Sequence, residues 1–301
     1  MVIESYFQNE IVWPKISVIT PSYNQGRFIE ETIRSVLFQG YPNLEYIIID
    51  GGSTDESIEI IKKYEKRLTY WISEPDKGQS DAINKGFSLA SGEIICWLNS
   101  DDYYLPNILF SVAQKFKDNL EASIIYGRCN VIDESGVFRH LTGEPFDLER
   151  MLLKYYTPIP QPSAFINRIK AIEAGPLDDY LHYLMDRDYW YRLSLTGEVL
   201  FIKEVWAAFR QYLSAKTSTL SADRIEEIAR VTEKFFKNKD LPPHLKKLKR
   251  ASLGNTYLKC ARRYTRISQR KKAFTKLMQA LFIDIRMAYR QDWLYTAWKL
   301  L

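Results

Sequence analysis

The stretch Glu93-Ile94-Ile95-Cys96-Trp97-Leu98-Asn99-Ser100-Asp101-Asp102 concentrates more chemistry than any other part of the chain. Its apolar first half predicts a buried strand, and it ends in an amide, a hydroxyl and two adjacent carboxylates. Neighbouring carboxylates repel each other unless a cation or a donor group shares them. Oxygen ligands of this kind suit Mg²⁺ or Mn²⁺ when a substrate's phosphates complete the shell. The same residues also suit a turn whose aspartates cap the next helix, since Pro106 follows closely. Taken alone, the stretch supports both readings equally.

Two other apolar runs end in polar groups. Ile16 to Thr20 leads into Pro21-Ser22-Tyr23-Asn24-Gln25-Gly26, and Tyr46 to Ile49 ends at Asp50. Tyr23 has a ring that can stack on a planar base, and Asp50 has oxygens that can accept from a base N–H. Each alone reads better as a surface tyrosine or a helix-flanking carboxylate. Ligands of open α/β sheets bind beyond the carboxyl ends of strands, so three polar strand ends together favour one shared crevice.

The elements that must position these groups follow from periodicity. An amphipathic helix is predicted from Phe28 to Leu37, closed by Gly40 and Pro42, and Ser53-Thr54-Asp55-Glu56 reads as a capping box for a second. A strand over Leu68 to Ile72 precedes a polar turn and a helix from Gln79 to Leu89 that carries Asp81. Further on, the pattern predicts a helix from Pro106 to Lys117, a strand at Ile124 to Tyr126 and a hairpin around Glu134-Ser135-Gly136. A proline-rich passage with Gln161 then leads to a strand at Ser163 to Ile166. A helix follows in Met185-Asp186-Arg187-Asp188-Tyr189-Trp190-Tyr191-Arg192, with strands near Val199 to Ile202 and Trp206 to Tyr212. This alternation predicts an α/β fold, a mostly parallel sheet flanked by helices.

Composition narrows the class. The chain has 301 residues, 46% hydrophobic and 26% charged, as in ordinary globular proteins. Its three cysteines and three histidines are scattered, which argues against a zinc site or a nucleophilic triad. No G-x-G-x-x-G follows the first strand and no P-loop occurs, so dinucleotide and P-loop chemistry are disfavoured. Without a signal-like start or a long apolar run, a cytoplasmic location is expected. The net charge of +5 hides an asymmetry: residues 221–301 carry 20 Lys/Arg against 7 Asp/Glu, while residues 1–220 are net acidic. The chain is therefore expected to divide into a domain over 1–220 and a basic helical region over 221–301.

Four blocks in order resemble family 2 glycosyltransferases with the GT-A fold: Ile16 to Asn24, Ile49 to Asp55, Asp76 to Gly86, and Asn99 to Asp102. The resemblance implies that Pro21, Tyr23 and Asn24 hold the nucleotide of an activated sugar donor, that Asp50 contacts its base and that Asp81 lies near the donor. Gly51 departs from the commoner Asp-Asp-Gly-Ser pattern. Asp101 and Asp102 match a DXD-like motif, with Asp102 as metal ligand for Mn²⁺ or Mg²⁺ and Asp101 nearer the ribose or donor sugar. For an inverting transfer, a carboxylate must take the acceptor proton. Asp186 is assigned that role and Asp188 is its rival, although Met185 replaces the family's usual Glu. Trp190 is a core residue or an acceptor wall, and Gln161 an acceptor-side candidate.

The resemblance implies transfer from a nucleoside-diphosphate sugar to a saccharide or lipid-linked acceptor in surface polysaccharide or glycolipid synthesis. The alternative is a non-catalytic nucleotide-sugar-binding protein that acts through its basic tail. That tail interleaves cations with Leu245, Tyr257, Phe274, Phe282, Tyr295 and Trp298, a pattern suited to an anionic membrane surface. It suits equally a helical appendage packed on the first domain. Nucleic acid is the least favoured partner, since no recognisable module is present.

Overall fold

The computed structural model describes residues 12–154, 156–213, 215–216 and 220–300. The first eleven residues, and most of the stretch 214–219 where the composition changes, lie outside the described residues. The first half alternates as expected: β1 (Ile16–Ser22), α1 (Ile29–Leu37), β2 (Leu44–Asp50), α2 (Ser57–Tyr64), β3 (Tyr70–Ser73), α3 (Gln79–Leu89) and β4 (Ile94–Trp97). Next come β5 (Tyr103–Tyr104), α4 (Ile108–Asp118), the long β6 (Ala122–Ile132), β7 (Phe138–Thr142), α5 (Leu148–Lys154), β8 (Ala164–Asn167) and α6 (Arg168–Ala174). Then α7 (Met185–Leu193), β9 (Glu198–Arg210), α8 (Ala222–Phe235), α9 (Pro243–Arg266), α10 (Arg270–Ile283) and α11 (Gln291–Trp298) complete the chain.

Among the described residues the strands form one sheet in the order β3-β2-β1-β4-β8-β6-β9-β5, with β7 hydrogen-bonded to β6. The first four strands are mutually parallel, as crossover helices require. β8 enters antiparallel between β4 and β6, and β9 returns parallel to β6. The period-2 alternation then sorts side chains onto two cores. Ile16 and Val18 of β1 face the core under α1 and α4, whereas Ile19, Ile47 and Trp97 face the core under α3 and α7.

Three local expectations are corrected. The strands expected at Val199 to Ile202 and Trp206 to Tyr212 are one continuous β9, whose pairing with β6 shifts register between Tyr126 and Cys129. Bulges absorb the polar residues that look like a break in the sequence. The capping box is also absent. Helix α2 begins at Ser57, Ser53 Oγ donates to Asp50, and Asp55 accepts from the Ser57 and Gly26 backbones. Finally, β3 starts at Tyr70 rather than Leu68.

Helix α3 lies unusually close to β1. A Cβ on Gly86 would sit 2.4 Å from Cγ2 of Ile19, a fully buried side chain. Gly86→Ala is therefore expected to lower stability by about 1–3 kcal/mol through overpacking. Thermal unfolding at or above the parent temperature would show that the contact relaxes freely.

The C-terminal helices pack on the sheet domain. Ile225, Leu258, Tyr264 and Leu277 share the core of Ile19 and Trp97. Ser252 Oγ donates to the Leu152 carbonyl at 2.8 Å, and Asn255 Nδ2 to that of Leu153 at 2.9 Å. Leu245 and Tyr257, named above for a membrane pattern, are buried, while Phe274, Phe282, Tyr295 and Trp298 remain exposed. Among the described residues, no helix is long and apolar enough to cross a membrane.

Candidate active site

The carboxyl ends of β1, β2 and β4 open into a cavity of about 740 Å³, within the usual size range for small-ligand sites. Pro21, Ser22 and Tyr23 form one wall, and Tyr23 is 62% exposed at its edge. Among the described residues the buried hydroxyl of Ser22 has no hydrogen-bond partner, a polar atom on the wall of a cavity. Asn24 does not line the space. It adopts a left-handed conformation (φ 51°), and its Oδ1 accepts from the Thr54 backbone at 2.8 Å, tying the first two loops together.

The two carboxylates at the end of β4 are separated by the fold. Asp101 lines the cavity, and its Oδ2 accepts from the Tyr212 hydroxyl at 2.9 Å. Asp102 is 1% exposed and turned inward. Its Oδ1 accepts from the Arg210 backbone at 2.9 Å and its Oδ2 from Asn99 Nδ2 at 3.3 Å. The cause is the short β5, which pairs Tyr103 with Ala208 of β9 and so brings Arg210 beneath the turn. The Arg210 side chain is buried too, donating to the carbonyls of Asp101 and Glu134 and pairing with Glu31. Burial pushes both carboxyls above the usual carboxylate range, and Asp102 is raised further by the charge of Asp101. The expected assignment of the metal to Asp102 therefore meets a geometry in which Asp101 is the carboxylate that faces the cavity.

An amide chain braces this turn. Lys216 Nζ donates to Gln79 Oε1, Gln79 Nε2 to Asn99 Oδ1, Asn99 Nδ2 to Gln161 Oε1, and Gln161 Nε2 to the Trp97 carbonyl. The distances run from 2.7 to 3.3 Å. Gln161 is thus a brace for Asn99 rather than part of the cavity wall. Burial pulls the Lys216 ammonium down from its ordinary value, against the opposing charges of Glu227 and Asp186.

Asp50 is also engaged within the protein. It is fully buried, and its two oxygens accept from the Ser53 and Ser73 hydroxyls and from the backbones of Gly52 and Ser53, at 2.6 to 3.1 Å. With four donors satisfied, it has little left for a nucleotide base. Asp76 lies where the missing acid would be: a Cβ on Gly51 would sit 2.7 Å from Asp76 Oδ2. Both Gly51 and Asp76 line the cavity. Asp81 does not line it. Its carboxylate accepts from the Lys77 backbone at 3.1 Å and pairs with Lys85.

Helix α7 separates the two base candidates. Asp188 is 3% exposed and held by Arg192 and Lys234 at 2.9 and 3.0 Å. Asp186 is partly open, accepting only the adjacent Arg187 N–H at 2.7 Å among the bonds described. Burial raises its pKa, opposed by Arg187 and Arg224. Trp190 is fully buried and stacked on Trp97 at 5.4 Å, so it is a core residue. The loop before α7 is anchored by Glu227 of α8. Its buried carboxylate accepts from the backbones of His182, Tyr183 and Leu184 at 2.7 to 3.0 Å.

Asp76, Gln79, Arg210, Tyr212, Lys216 and Glu227 were not singled out by sequence reasoning. Asp76 and Gln79 fall inside the Asp76 to Gly86 block. Tyr212 and Lys216 follow β9 in a stretch with no local signature, and Glu227 looks like a surface position on a basic helix.

A family model described as Glycosyl transferase family 2 matches residues 17–175. An uncharacterized glycosyltransferase of Rickettsia typhi is 28% identical over 233 residues, covering 74% of this chain and 72% of the relative. Glycosyltransferase GlyG of Streptococcus pneumoniae is 33% identical over 144 residues, 46% of this chain and 48% of the relative. Among solved structures, Staphylococcus aureus TarS in complex with UDP-GlcNAc superposes with a TM-score of 0.73 at 19% identity, over 95% of this chain and 88% of that one. A mannosyltransferase of Pyrobaculum calidifontis in complex with GDP-Man and Mn²⁺ gives 0.62 at 17% identity, over 96% and 85%. At these identities the superpositions show the shared GT-A fold.

Proposed function

The chain belongs to glycosyl transferase family 2, and from that premise we propose that it moves a sugar from a nucleoside-diphosphate donor to a saccharide or lipid-linked acceptor with inversion, within surface polysaccharide or glycolipid synthesis. The observation that carries this reading is the cavity at the three strand ends, where the Asp101 carboxylate, the Lys216 ammonium and the orphaned Ser22 hydroxyl line one space. The similar folds that hold UDP-GlcNAc or GDP-Man support a donor of that class. Residues 1–220 are taken as the catalytic unit, at the cytoplasmic side of a membrane, with 221–301 docked on it.

Among the described residues, no group of three or more ligating side chains could cage a metal. One cavity-facing carboxylate plus donor phosphates is nevertheless a suitable oxygen set for Mg²⁺ or Mn²⁺. Asp101 is the residue that would hold the ion, and the cation would supply positive charge to the leaving diphosphate. The remaining steps fall to the protein's own groups. Lys216 offsets diphosphate charge, Tyr23 stacks on the base, and Asp76 accepts from a base N–H. Asp186 takes the acceptor hydroxyl's proton as that oxygen attacks the anomeric carbon opposite the leaving group. The metal thus moves from Asp102 to Asp101, and base contact from Asp50 to Asp76.

The test is transfer or donor hydrolysis across a panel of UDP-, GDP- and dTDP-sugars with Mn²⁺ or Mg²⁺. Absence of turnover with every donor, alongside tight nucleotide-sugar binding, would favour a binding protein instead. In the same assay Asp76→Asn is expected to raise the donor KM by about ten- to a hundred-fold, the cost of a lost hydrogen bond to a charged group. The Asn keeps an acceptor for Gly78 N, now 2.8 Å from Asp76 Oδ1, but turns a donor toward the base. An unchanged KM would remove Asp76 from base recognition.

A further inference from the structure

A second cavity, also about 740 Å³, lies in the C-terminal helical region and shares no lining residue with the first. On α9, Lys259, Arg262, Arg263 and Arg266 recur at the three- and four-residue spacing that puts side chains on one helix face. All four line this cavity, where Lys154 at the end of α5 and Arg290 just before α11 join them. Six cations thus face one space. The single carboxylate on its wall, Asp292, is engaged by Arg290 at 2.9 Å and lies 3.7 Å from Arg262. Asn255, Thr232 and Thr256 add neutral polar groups, and Met151, Leu152 and Tyr191 an apolar floor.

Like charges gathered this closely repel, and the strain shows in Lys259. Burial and the positive charges of Arg263, Arg187 and Arg262 pull its ammonium down to about 7, with Cys260 opposing weakly. A basic face exposed for solubility alone would need neither the concavity nor the crowding. An anion with several oxygens would relieve both, because guanidinium groups match phosphate oxygens in bidentate geometry.

We propose that this cavity is a second ligand site, separate from the donor crevice, that binds a diphosphate or phosphodiester group. The group can come from a soluble phosphate compound or from a lipid headgroup, and the charge chemistry is the same for both. Binding such an anion draws the Lys259 pKa back up, so binding near neutral pH takes up protons.

The test uses the full chain with EDTA present and inorganic pyrophosphate as probe, titrated calorimetrically in two buffers of different protonation enthalpy. A parallel arm floats the protein with phosphatidylglycerol vesicles and with phosphatidylcholine vesicles. Two variants report on the cavity, Lys259→Gln/Arg263→Gln and the more exposed pair Arg262→Gln/Arg266→Gln, which keeps the test informative if the first pair misfolds. Lys216→Gln reports on the donor crevice. Affinity is expected to fall about ten-fold or more in both cavity variants, as for lost charge-assisted contacts, with proton uptake in the parent; binding that Lys216→Gln removes belongs to the donor crevice. Binding confined to phosphatidylglycerol vesicles, and lost in both cavity variants, identifies the phosphate as a lipid headgroup and also supports the site. Failure of both probes to bind overturns it, as does binding that survives both pairs or falls only with Lys216→Gln.

Discussion

Replacing Asp186 with asparagine is expected to lower sugar transfer by about 10²–10⁴-fold, the usual contribution of a positioned general base, while donor binding and thermal stability stay near those of the parent. Asp186 is partly open on the first turn of α7, within electrostatic reach of Lys216, which lines the donor cavity. Burial lifts its pKa above the ordinary carboxylate range and so makes it a better proton acceptor once ionised. The sign for activity follows: as pH falls through that raised value, Asp186 becomes protonated and the rate declines. An acidic limb in kcat, present in the parent and absent from the residual activity of Asp186→Asn, is the signature to measure. Asp188→Asn should behave differently. Its carboxylate bonds Arg192 and Lys234 in the interior, so the variant should unfold at lower temperature with its transfer chemistry little altered in the folded fraction. The reverse pattern would transfer the role of base to Asp188.

The second large effect separates the adjacent aspartates at the end of β4. Asp101→Asn is expected to remove most metal-dependent turnover, about 10²-fold or more, with a modest effect on folding. Asp102→Ala should mainly destabilise. It leaves the Arg210 backbone N–H without its acceptor in a buried setting, at about 1–3 kcal/mol, while Asn99 Nδ2 keeps Gln161 Oε1. Metal titration followed by thermal unfolding distinguishes the two. Loss of metal response in Asp102→Asn but not in Asp101→Asn would return the ion to Asp102.

The same pair makes a pH prediction. Burial raises both carboxyls in the folded protein, so the folded state holds protons more tightly than the unfolded one. The pair's own contribution to stability without ligand is therefore fully present at and below the ordinary carboxylate range and is lost as pH rises through the raised values. A divalent cation favours the ionised forms and releases protons. Its stabilising increment in melting temperature should accordingly be larger at about pH 8 than at about pH 5.

Much of this was readable from local pattern. The apolar runs at Ile16, Tyr46 and Ile94 became parallel neighbours β1, β2 and β4 because each is bounded by glycine, proline or polar turn residues and followed by a helical period. The convergence of their ends followed from that topology. The continuity of β9 was less legible, since Lys203 and Glu204 look like a break until bulges against β6 absorb them. The roles of single carboxylates were the least legible. Asp50, Asp81 and Asp102 each have the residue type for ligand contact, yet each is satisfied by nearby donors: Ser53 and Ser73, Lys77 and Lys85, Asn99 and Arg210.

The α/β alternation, the family blocks and the place where a carboxylate pair must end a strand are written in local pattern, because they depend on periodicity and turn chemistry within a few residues. Which member of the pair faces the cavity is set by contacts between distant parts of the folded chain. That choice rests on a hydrogen bond from Arg210, 108 positions further along, which draws Asp102 inward once β5 has paired with β9. Tyr212, just beyond it, holds Asp101 at the opening. No spacing within the motif encodes a partner that distant; it exists only when the sheet has closed around it.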